Sequence, residues 1–238
     1  MNNHHTIGMK DEASNRTIPL NSVNADIKFV DTFCNTTLTQ VYQNCENREI
    51  EAVYTFPLSS RAVIMDLKVK VGQGEWLKSV VVEEIEAVSD YEEAISKGNS
   101  AIRLEEVESG LYTMNIGRIM PHEKVLVKIS YAELYEWQGE SFRFHLPTTI
   151  APRYGDPEAA GLDAFQVPEY GPVENHLFLN MEIRGLLSKA QIQCPSHNVN
   201  INRKDSRTII SFSSEKALMD RDFVLEFKMH AEKRTSIF

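Results

Sequence analysis

Alternation of apolar and polar side chains with a period of two is the feature that most limits how this chain can fold. The pattern is strict from Glu123 to Tyr131, where one face consists of Val125, Val127, Ile129 and Tyr131. Successive side chains of a β-strand point to opposite sides of the sheet, so such a segment buries one face and exposes the other. The pattern recurs along most of the chain and predicts a mostly-β, sandwich-like fold.

Similar segments predict a series of short strands. In the first part of the chain they cover Val23–Asp31, Leu38–Asn44, Glu51–Phe56, Ala62–Val71, Leu77–Glu84, Ala101–Glu106, Tyr112–Arg118, Glu123–Tyr131 and Ser141–Leu146. In Ala62–Val71 the predicted apolar face consists of Val63, Met65, Leu67, Val69 and Val71. Further strands are predicted at His176–Ile183 and over residues 189–194, 198–203, 207–213 and 222–230.

One helix is predicted, from Ser89 to Lys97. Ser89 and Glu92 form a capping box, in which each side chain bonds to the backbone amide of the other residue. Gly98 suits the left-handed position that follows a helix end. The helix is therefore short and bounded at both ends.

Changes in residue composition along the sequence divide the chain into four parts. Residues 1–17 are polar and are predicted to be a flexible tail. Residues 18–154 contain most of the alternating segments. A stretch rich in proline and glycine follows, and within it residues 155–175 are predicted to be a linker or long loop. Residues 176–238 form a β-rich extension, whose strands either make a sheet of their own or complete the first one.

Composition excludes some partners. The net charge is −9 and the pI is about 5.3, which opposes binding to nucleic acid because that requires a basic surface. No apolar run is long enough to predict a membrane span. The N-terminal residues contain no apolar signal-peptide segment. The sequence as it stands predicts a cytoplasmic location, or a secreted or cell-surface one if a leader is removed from it.

The cysteines are sparse. Cys34, Cys45 and Cys194 are odd in number and do not predict a disulfide framework. Cys34 and Cys45 could face each other across a hairpin, so a bridge between them and two free thiols both stay open.

Several motifs occur together in a fixed order. They are Ile50–Leu58, Tyr91–Gly98, Ala101–Glu106, Tyr112–Pro121 and Pro147–Tyr154. Over residues 18–154 this series resembles the VIT domain, the vault protein and inter-alpha-trypsin inhibitor module. The resemblance implies a β-sandwich-like domain with one short α-helix, followed by further antiparallel strands. The motif residues that it implies to be structural are Phe56, Pro57, Tyr91, Ala94, Gly98, Gly117, Pro121, Pro147, Pro152, Arg153 and Tyr154.

Two positions depart from the family's pattern. Arg118 stands where the family often has asparagine, and His122 stands where it usually has glycine. The second departure leaves the type of turn after Pro121 open. Residues 219–225 resemble the segment that leads from a VIT domain to a von Willebrand factor A domain.

No catalytic, cofactor or metal site is predicted. The sequence lacks the zinc, calcium and phosphate-binding motifs and the nucleophile elbow. The acidic groups around Glu83, Glu92 and Glu105 are interpreted as solvated faces or, as the alternative, as an acidic docking face. Arg153 is interpreted as a structural clamp or, as the alternative, as a ligand for an acidic molecule.

The main functional hypothesis follows from the resemblance. It is a non-catalytic protein-interaction or scaffold module, whose partner is a protein such as an A-type domain in the same full-length chain. One alternative is a β-sandwich that binds carbohydrate or an acidic molecule, with Trp76 and Trp137 as stacking platforms. Another is a hydrolase in which a cysteine, a histidine and a carboxylate meet in space.

Overall fold

The period-two pattern becomes a series of strands in the computed structural model, which describes residues 8–78, 102–108, 110–146, 176–219 and 221–229. In the first half of the chain these are β1 (Gly8–Asp11), β2 (Leu20–Val30), β3 (Phe33–Gln43), β4 (Ile50–Pro57), β5 (Val63–Val71), β6 (Trp76–Lys78), β7 (Ile102–Glu108) and β8 (Leu111–Ile119). In the second half they are β9 (Lys124–Leu134), β10 (Ser141–Leu146), β11 (His176–Arg184), β12 (Gln191–Gln193), β13 (Val199–Lys204), β14 (Arg207–Phe212), β15 (Ala217–Leu218) and β16 (Phe223–Lys228).

The strands form three sheets. The large sheet has nine strands, in the order β13-β14-β11-β2-β3-β9-β5-β6, with β15 paired to β11. A four-stranded sheet has the order β1-β4-β8-β7, and a three-stranded sheet has the order β10-β16-β12. The mostly-β prediction is confirmed. One pairing departs from the predicted antiparallel arrangement, because β11 runs parallel to β2.

Both small sheets pack against the same side of the large sheet, which we call its inner face. Phe29 on β2 contacts Phe144 on β10 and Phe227 on β16, with ring centroids 5.5 and 5.7 Å apart. At the other end, Tyr42 on β3 contacts Tyr54 on β4 at 5.8 Å. The opposite side of the large sheet is its outer face. It has no other sheet packed on it among the described residues.

The extension after residue 176 completes the first sheet. β11 pairs with β2 over nine registered positions, from His176 opposite Ser22 to Arg184 opposite Val30. Because β2 also pairs with β3, the seam between the two parts of the chain lies inside one hydrogen-bonded sheet. The alternative prediction was that the strands after residue 176 make a sheet of their own. They do so only in part, because β12 and β16 form a second sheet together with β10, which precedes the extension.

Three predictions of local structure were wrong in part. The predicted tail of residues 1–17 contains β1, which pairs with β4 and buries Met9 completely. The strand predicted to begin at Leu38 begins at Phe33. Val63 and Met65 do not share the buried face of Leu67, because a bulge between Ile64 and Asp66 shifts the register and leaves both side chains about 60% exposed.

The predicted helix Ser89–Lys97 lies outside the described residues. Within the described ranges the helical structure is a 3-10 helix at Leu186–Lys189, and no helix there is long and apolar enough to cross a membrane. Of the predicted strand Leu77–Glu84, only residues 77 and 78 are described, and both belong to β6.

Candidate interaction surface

Three apolar side chains lie side by side on the outer face of the large sheet. Val30 on β2 is directly opposite Phe33 on β3, and Phe33 is directly opposite Leu134 on β9. Their exposures are 53%, 47% and 59%. We call these three residues the apolar row. Directly opposite residues approach within about 5 Å, so the row is one continuous apolar surface.

Charged residues continue the apolar row on one side. Arg184 on β11 is opposite Val30, and Arg207 on β14 is opposite Arg184. Glu182 accepts a hydrogen bond from Arg184 Nε at 2.8 Å and lies 3.5 Å from Arg207 Nη1. These two ion pairs hold both guanidinium groups on the outer face, and they give the apolar row a polar border.

The turn beside the apolar row is held in place by the 3-10 helix. Asp31, at φ 51°, accepts a hydrogen bond from the Leu186 amide at 2.7 Å through its Oδ1 atom. Gly185 adopts φ 77°, and a β-carbon there would lie 2.3 Å from Asp31 Oδ1. A glycine is therefore needed at this position. Val30 and Phe33 thus lie at the end of a hairpin whose turn is held in place, and little order would be lost there when a partner covers the row.

Exposed apolar surface of this kind has a free-energy cost. Large contiguous apolar patches on a protein surface mark interaction sites more often than scattered single residues do. Fully burying a side chain of this size contributes about 1.5–3 kcal/mol, and about half of that is still to be gained here, because these side chains are already about half-buried. The apolar row is therefore the part of the described surface where binding a protein partner has the clearest driving force.

A buried polar cluster lies behind the apolar row, on the inner face. Cys34, Tyr131 and Glu133 lie there, and Tyr135 donates a hydrogen bond to Glu133 Oε2 at 3.2 Å. Burial raises the pKa of the Cys34 thiol to about 12, and the nearby Glu133 carboxylate acts in the same direction. A thiol with such a pKa is protonated at neutral pH, so Cys34 is not a nucleophile there.

The three cysteines are free. Cys34 is the second residue of β3 and Cys45 lies beyond its other end, so about 30 Å of extended chain separates them. The predicted alternative of a Cys34–Cys45 bridge is therefore wrong. Cys194 Sγ is 3.6 Å from Ser196 Oγ.

The hydrolase hypothesis requires a histidine and a carboxylate beside a cysteine. His197 is close to Cys194 in the sequence, but Ser196 lies between them and is bound to the backbone. Its hydroxyl accepts a hydrogen bond from the Val224 amide at 2.9 Å and lies 2.9 Å from His197 Nδ1. The His197 ring packs against Phe212 at 5.3 Å. These contacts show that Ser196 and His197 help to hold the segment after β12 against β16. Among the residues that the structure describes, no group of His, Cys, Asp and Glu is arranged to hold a metal ion.

Two of the described motif residues, Phe56 and Pro57, lie on β4. Phe56 is 5% exposed and stacks between Tyr54 and Tyr112, at 5.2 and 5.4 Å. Pro57 ends β4 opposite Leu111. The other predicted positions lie outside the described residues: Tyr91, Ala94, Gly98, Pro147, Pro152, Arg153 and Tyr154.

Gly117 and Pro121 lie beside the two departures from the family's pattern. Arg118 has φ 59° and His122 has φ 64°. The register of β4 and β8 shifts at Gly117 and Arg118. The Glu123 amide donates to the Met120 carbonyl at 3.1 Å, which closes a type II turn with proline second and a positive φ third. Asparagine and glycine, the family's residues at these two positions, are those that tolerate a positive φ.

The two tryptophans differ. Trp137 packs edge-on against Phe142 at 4.9 Å, so it belongs to the core. Trp76 is 38% exposed. Of the acidic groups, Glu105 and Glu106 occupy successive positions of β7, so they face opposite sides of the sheet.

Sequence reasoning missed the apolar row. The signal was present in β2, where Val23, Ala25, Ile27 and Phe29 alternate on one face and Val30 falls on the other. Phe33 and Leu134 lie far apart in the sequence, so only the pairing of β3 with β9 brings them together.

The fold and this surface define a β-rich framework module with a candidate docking face. In the comparison with known domains, residues 20–131 match the vault protein inter-alpha-trypsin domain. These residues are a VIT domain, which extends from the start of β2 through most of β9. The predicted family is confirmed.

Several relatives with curated descriptions match part of this chain. The protein mono-ADP-ribosyltransferase PARP4 of Mus musculus is 26% identical over 209 residues, which are 86% of this chain and 10% of that protein. The von Willebrand factor A domain-containing protein 5A of Rattus norvegicus is 29% identical over 140 residues, 58% of this chain and 17% of that protein. The von Willebrand factor A domain-containing protein DDB_G0292028 of Dictyostelium discoideum is 34% identical over 115 residues, 48% of this chain and 12% of that protein. The chain thus spans less than a fifth of each of these three.

Proposed function

We propose that this chain is a non-catalytic protein-interaction module that binds its partner through the apolar row. The observation that carries the proposal is the register that sets Val30, Phe33 and Leu134 side by side on an uncovered, rigid part of the sheet. Burying these three side chains supplies the driving force, and the flanking guanidinium groups of Arg184 and Arg207 give orientation.

The partner that we propose is a von Willebrand factor A domain, in the same full-length chain or in another. Two of the relatives described above carry this domain in their names. Their matched segments cover less than a fifth of their length, so each has ample chain in which an A domain can adjoin its VIT domain. A short connection between two such domains raises the effective concentration of one for the other, so even a weak surface suffices.

The proposal assigns no catalytic role to this chain. The transferase activity in the name of PARP4 belongs to a protein of which this chain matches 10%. Cys34 has a pKa of about 12, because it is buried. The Ser196 hydroxyl receives a backbone hydrogen bond from Val224. The raised pKa supports a structural role for Cys34, and the backbone hydrogen bond supports one for the segment that joins Cys194 to His197.

The test is a titration of the 238-residue chain with purified A domains of the rat and Dictyostelium relatives, followed by calorimetry. Substituting Phe33→Ser should weaken a micromolar interaction by about tenfold or more, because a partly buried aromatic anchor is lost. The matched control is Leu218→Ser, since Leu218 is 53% exposed and lies on β15 outside the apolar row. Equal loss in both variants, or no binding to any A domain, would contradict the proposal.

A further inference from the structure

Five lysines lie together on the outer face of the large sheet, away from the apolar row. They belong to β5, β6 and β9 and are Lys68, Lys70, Lys78, Lys124 and Lys128. We call them the lysine patch. In a chain with a net charge of −9, a cluster of five lysines is unexpected.

The register places three of these lysines directly beside one another. Lys128 on β9 is opposite Lys68 on β5, and Lys68 is opposite Lys78 on β6. Neighbouring strands are about 4.8 Å apart, and like charges directly opposite in a sheet are destabilising. These three neighbouring lysines therefore lower the stability of the folded chain, so stability alone does not explain their presence.

Few carboxylates neutralise the lysine patch. Lys68 forms an ion pair with Asp66 at 3.4 Å. Within the described part of the chain, no acidic side chain pairs with Lys70, Lys78, Lys124 or Lys128. The patch consequently has several ammonium groups with donors available to a ligand.

The lysine patch also contains apolar surface. Trp76 is opposite Lys70, and Lys70 is opposite Leu126 on its other side. The Lys68 amine lies 5.4 Å from the centre of the Trp76 ring, within the range of a cation–π contact. A ligand that suits this patch therefore combines negative charge with an apolar group.

We infer that the lysine patch binds an acidic segment of a partner protein, with carboxylates flanking one aromatic or aliphatic side chain. Lys68 and Lys70 are two residues apart on β5, about 7 Å along the strand. That distance equals the spacing of alternate side chains in an extended peptide. A short acidic peptide contacts the patch alone, whereas a nucleic acid or an anionic membrane also meets the repulsion of the negatively charged chain.

Lysines also protect the edge strand of a sheet from pairing with another chain, and β6 is such an edge. The two explanations differ in what neutral substitutions do. If the lysines only protect the edge, the variants aggregate and ligand binding has no role. If they form a binding surface, the variants stay monomeric and lose the ligand.

The experiment uses the full chain and a synthetic glutamate-rich peptide with one central phenylalanine, followed by fluorescence anisotropy. Lys70→Gln combined with Lys128→Gln should weaken peptide binding about tenfold, and binding to the unchanged chain should fall as salt is raised. The same double variant should gain about 1–2 °C in Tm, because the Lys128–Lys68 repulsion is removed. This gain tests the register of the lysines, whereas loss of peptide binding by a variant that stays monomeric separates a binding surface from edge protection.

The matched control is Lys204→Gln combined with Lys216→Gln, two exposed lysines that lie outside both the lysine patch and the apolar row with its flanking arginines. This control should bind the peptide as well as the unchanged chain does. Equal loss in both double variants would overturn the inference, and so would stronger binding to single-stranded DNA or anionic vesicles than to the peptide. Phe33→Ser leaves the patch intact, so the result is separable from the test of the apolar row.

Discussion

The two ends of the inner face are held together in different ways. At one end, which we call the tyrosine end, the buried hydroxyls of Tyr42 and Tyr54 both donate to Gln40 Oε1, at 3.2 and 2.6 Å. At the other, the phenylalanine end, the fully buried ring of Phe29 contacts Phe142 and Phe227, among others, so packed rings form the contact between the two sheets. The first end joins the four-stranded sheet to the large sheet, and the second joins the three-stranded one.

This difference separates two ways of fixing a sheet. A buried hydrogen-bonded group has a strict geometry, because an acceptor that moves leaves donors without partners at a cost. Packed rings tolerate small shifts and supply mostly burial energy. The tyrosine end lies within residues 20–131 of the VIT domain, whereas the phenylalanine end draws its small sheet from β10, β12 and β16 beyond them. The VIT segment thus contains the polar, geometrically strict contact.

The largest effect is expected at the phenylalanine end. Phe29→Ala should lower the free energy of unfolding by about 3–5 kcal/mol, because the removed ring leaves a cavity among four aromatic neighbours. Urea denaturation measures the change. Phe33→Ala is the matched control on the same hairpin, since its ring is 47% exposed, and it should change stability by less than about 0.5 kcal/mol. Similar losses in both would contradict the description of the phenylalanine end.

At the tyrosine end, Gln40→Leu should cost about 1–3 kcal/mol, because two buried hydroxyls lose their acceptor. Adding Tyr42→Phe and Tyr54→Phe to this variant should restore part of the loss, since the donors that lack partners are removed. Urea denaturation of the single, double and triple variants measures the coupling. Additive losses across the series would show that Gln40 does not link the two tyrosines.

A pH dependence is also expected beside the tyrosine end, on the same small sheet. Burial raises the pKa of Asp11 on β1, but hydrogen bonds from Ser14 and Arg48 outweigh it and the net pKa is lowered. A lowered folded pKa stabilises the protein above the ordinary value of about 4, and this stabilisation is lost as the pH falls through the folded value.

Asp11→Asn should therefore lower stability by about 1 kcal/mol at pH 7 and by less at pH 3. Thermal unfolding at several pH values measures both. The control is Asp66→Asn, whose carboxylate is 42% exposed and forms an ion pair with Lys68 that should contribute little to stability. A constant difference between Asp11→Asn and the unchanged chain from pH 7 to pH 3 would contradict the assignment.

The smallest effects are expected at the two left-handed positions next to the tyrosine end. His122→Gly and Arg118→Asn should each raise stability by about 0.5–1 kcal/mol, because they remove the cost of a positive φ. Lys124→Gly is the control, since Lys124 is not among the residues with positive φ, and it should lose about that amount. Differential scanning calorimetry distinguishes the gain in stability expected for the two variants from the loss expected for the control.

The sequence predicted most strands because their burial follows a simple alternation. It missed β1, since Gly8–Asp11 is too short and mixed to show a period of two. It also missed the start of β3, where Thr36 is polar but only 1% exposed. It could not predict the bulge after Ile64, because the register is set by the partner strand β9.

The candidate surface was harder to predict than the fold. A single exposed valine or phenylalanine is common and carries no signal. The apolar row and the lysine patch exist only through cross-strand register, which joins residues as distant as Phe33 and Leu134. The type of turn at His122, in contrast, could not be predicted from the sequence, and the φ of 64° at that residue identifies it.

The parallel pairing of β2 with β11 has a consequence for the order of events during synthesis. Asp26 and Asn180, joined by a hydrogen bond at 3.2 Å, are 154 residues apart. At about 5–20 residues per second, a ribosome needs roughly 10–30 s to make the chain between them. For that time the newly made β2 has one unpaired edge, which is the state that chaperones bind and that favours aggregation.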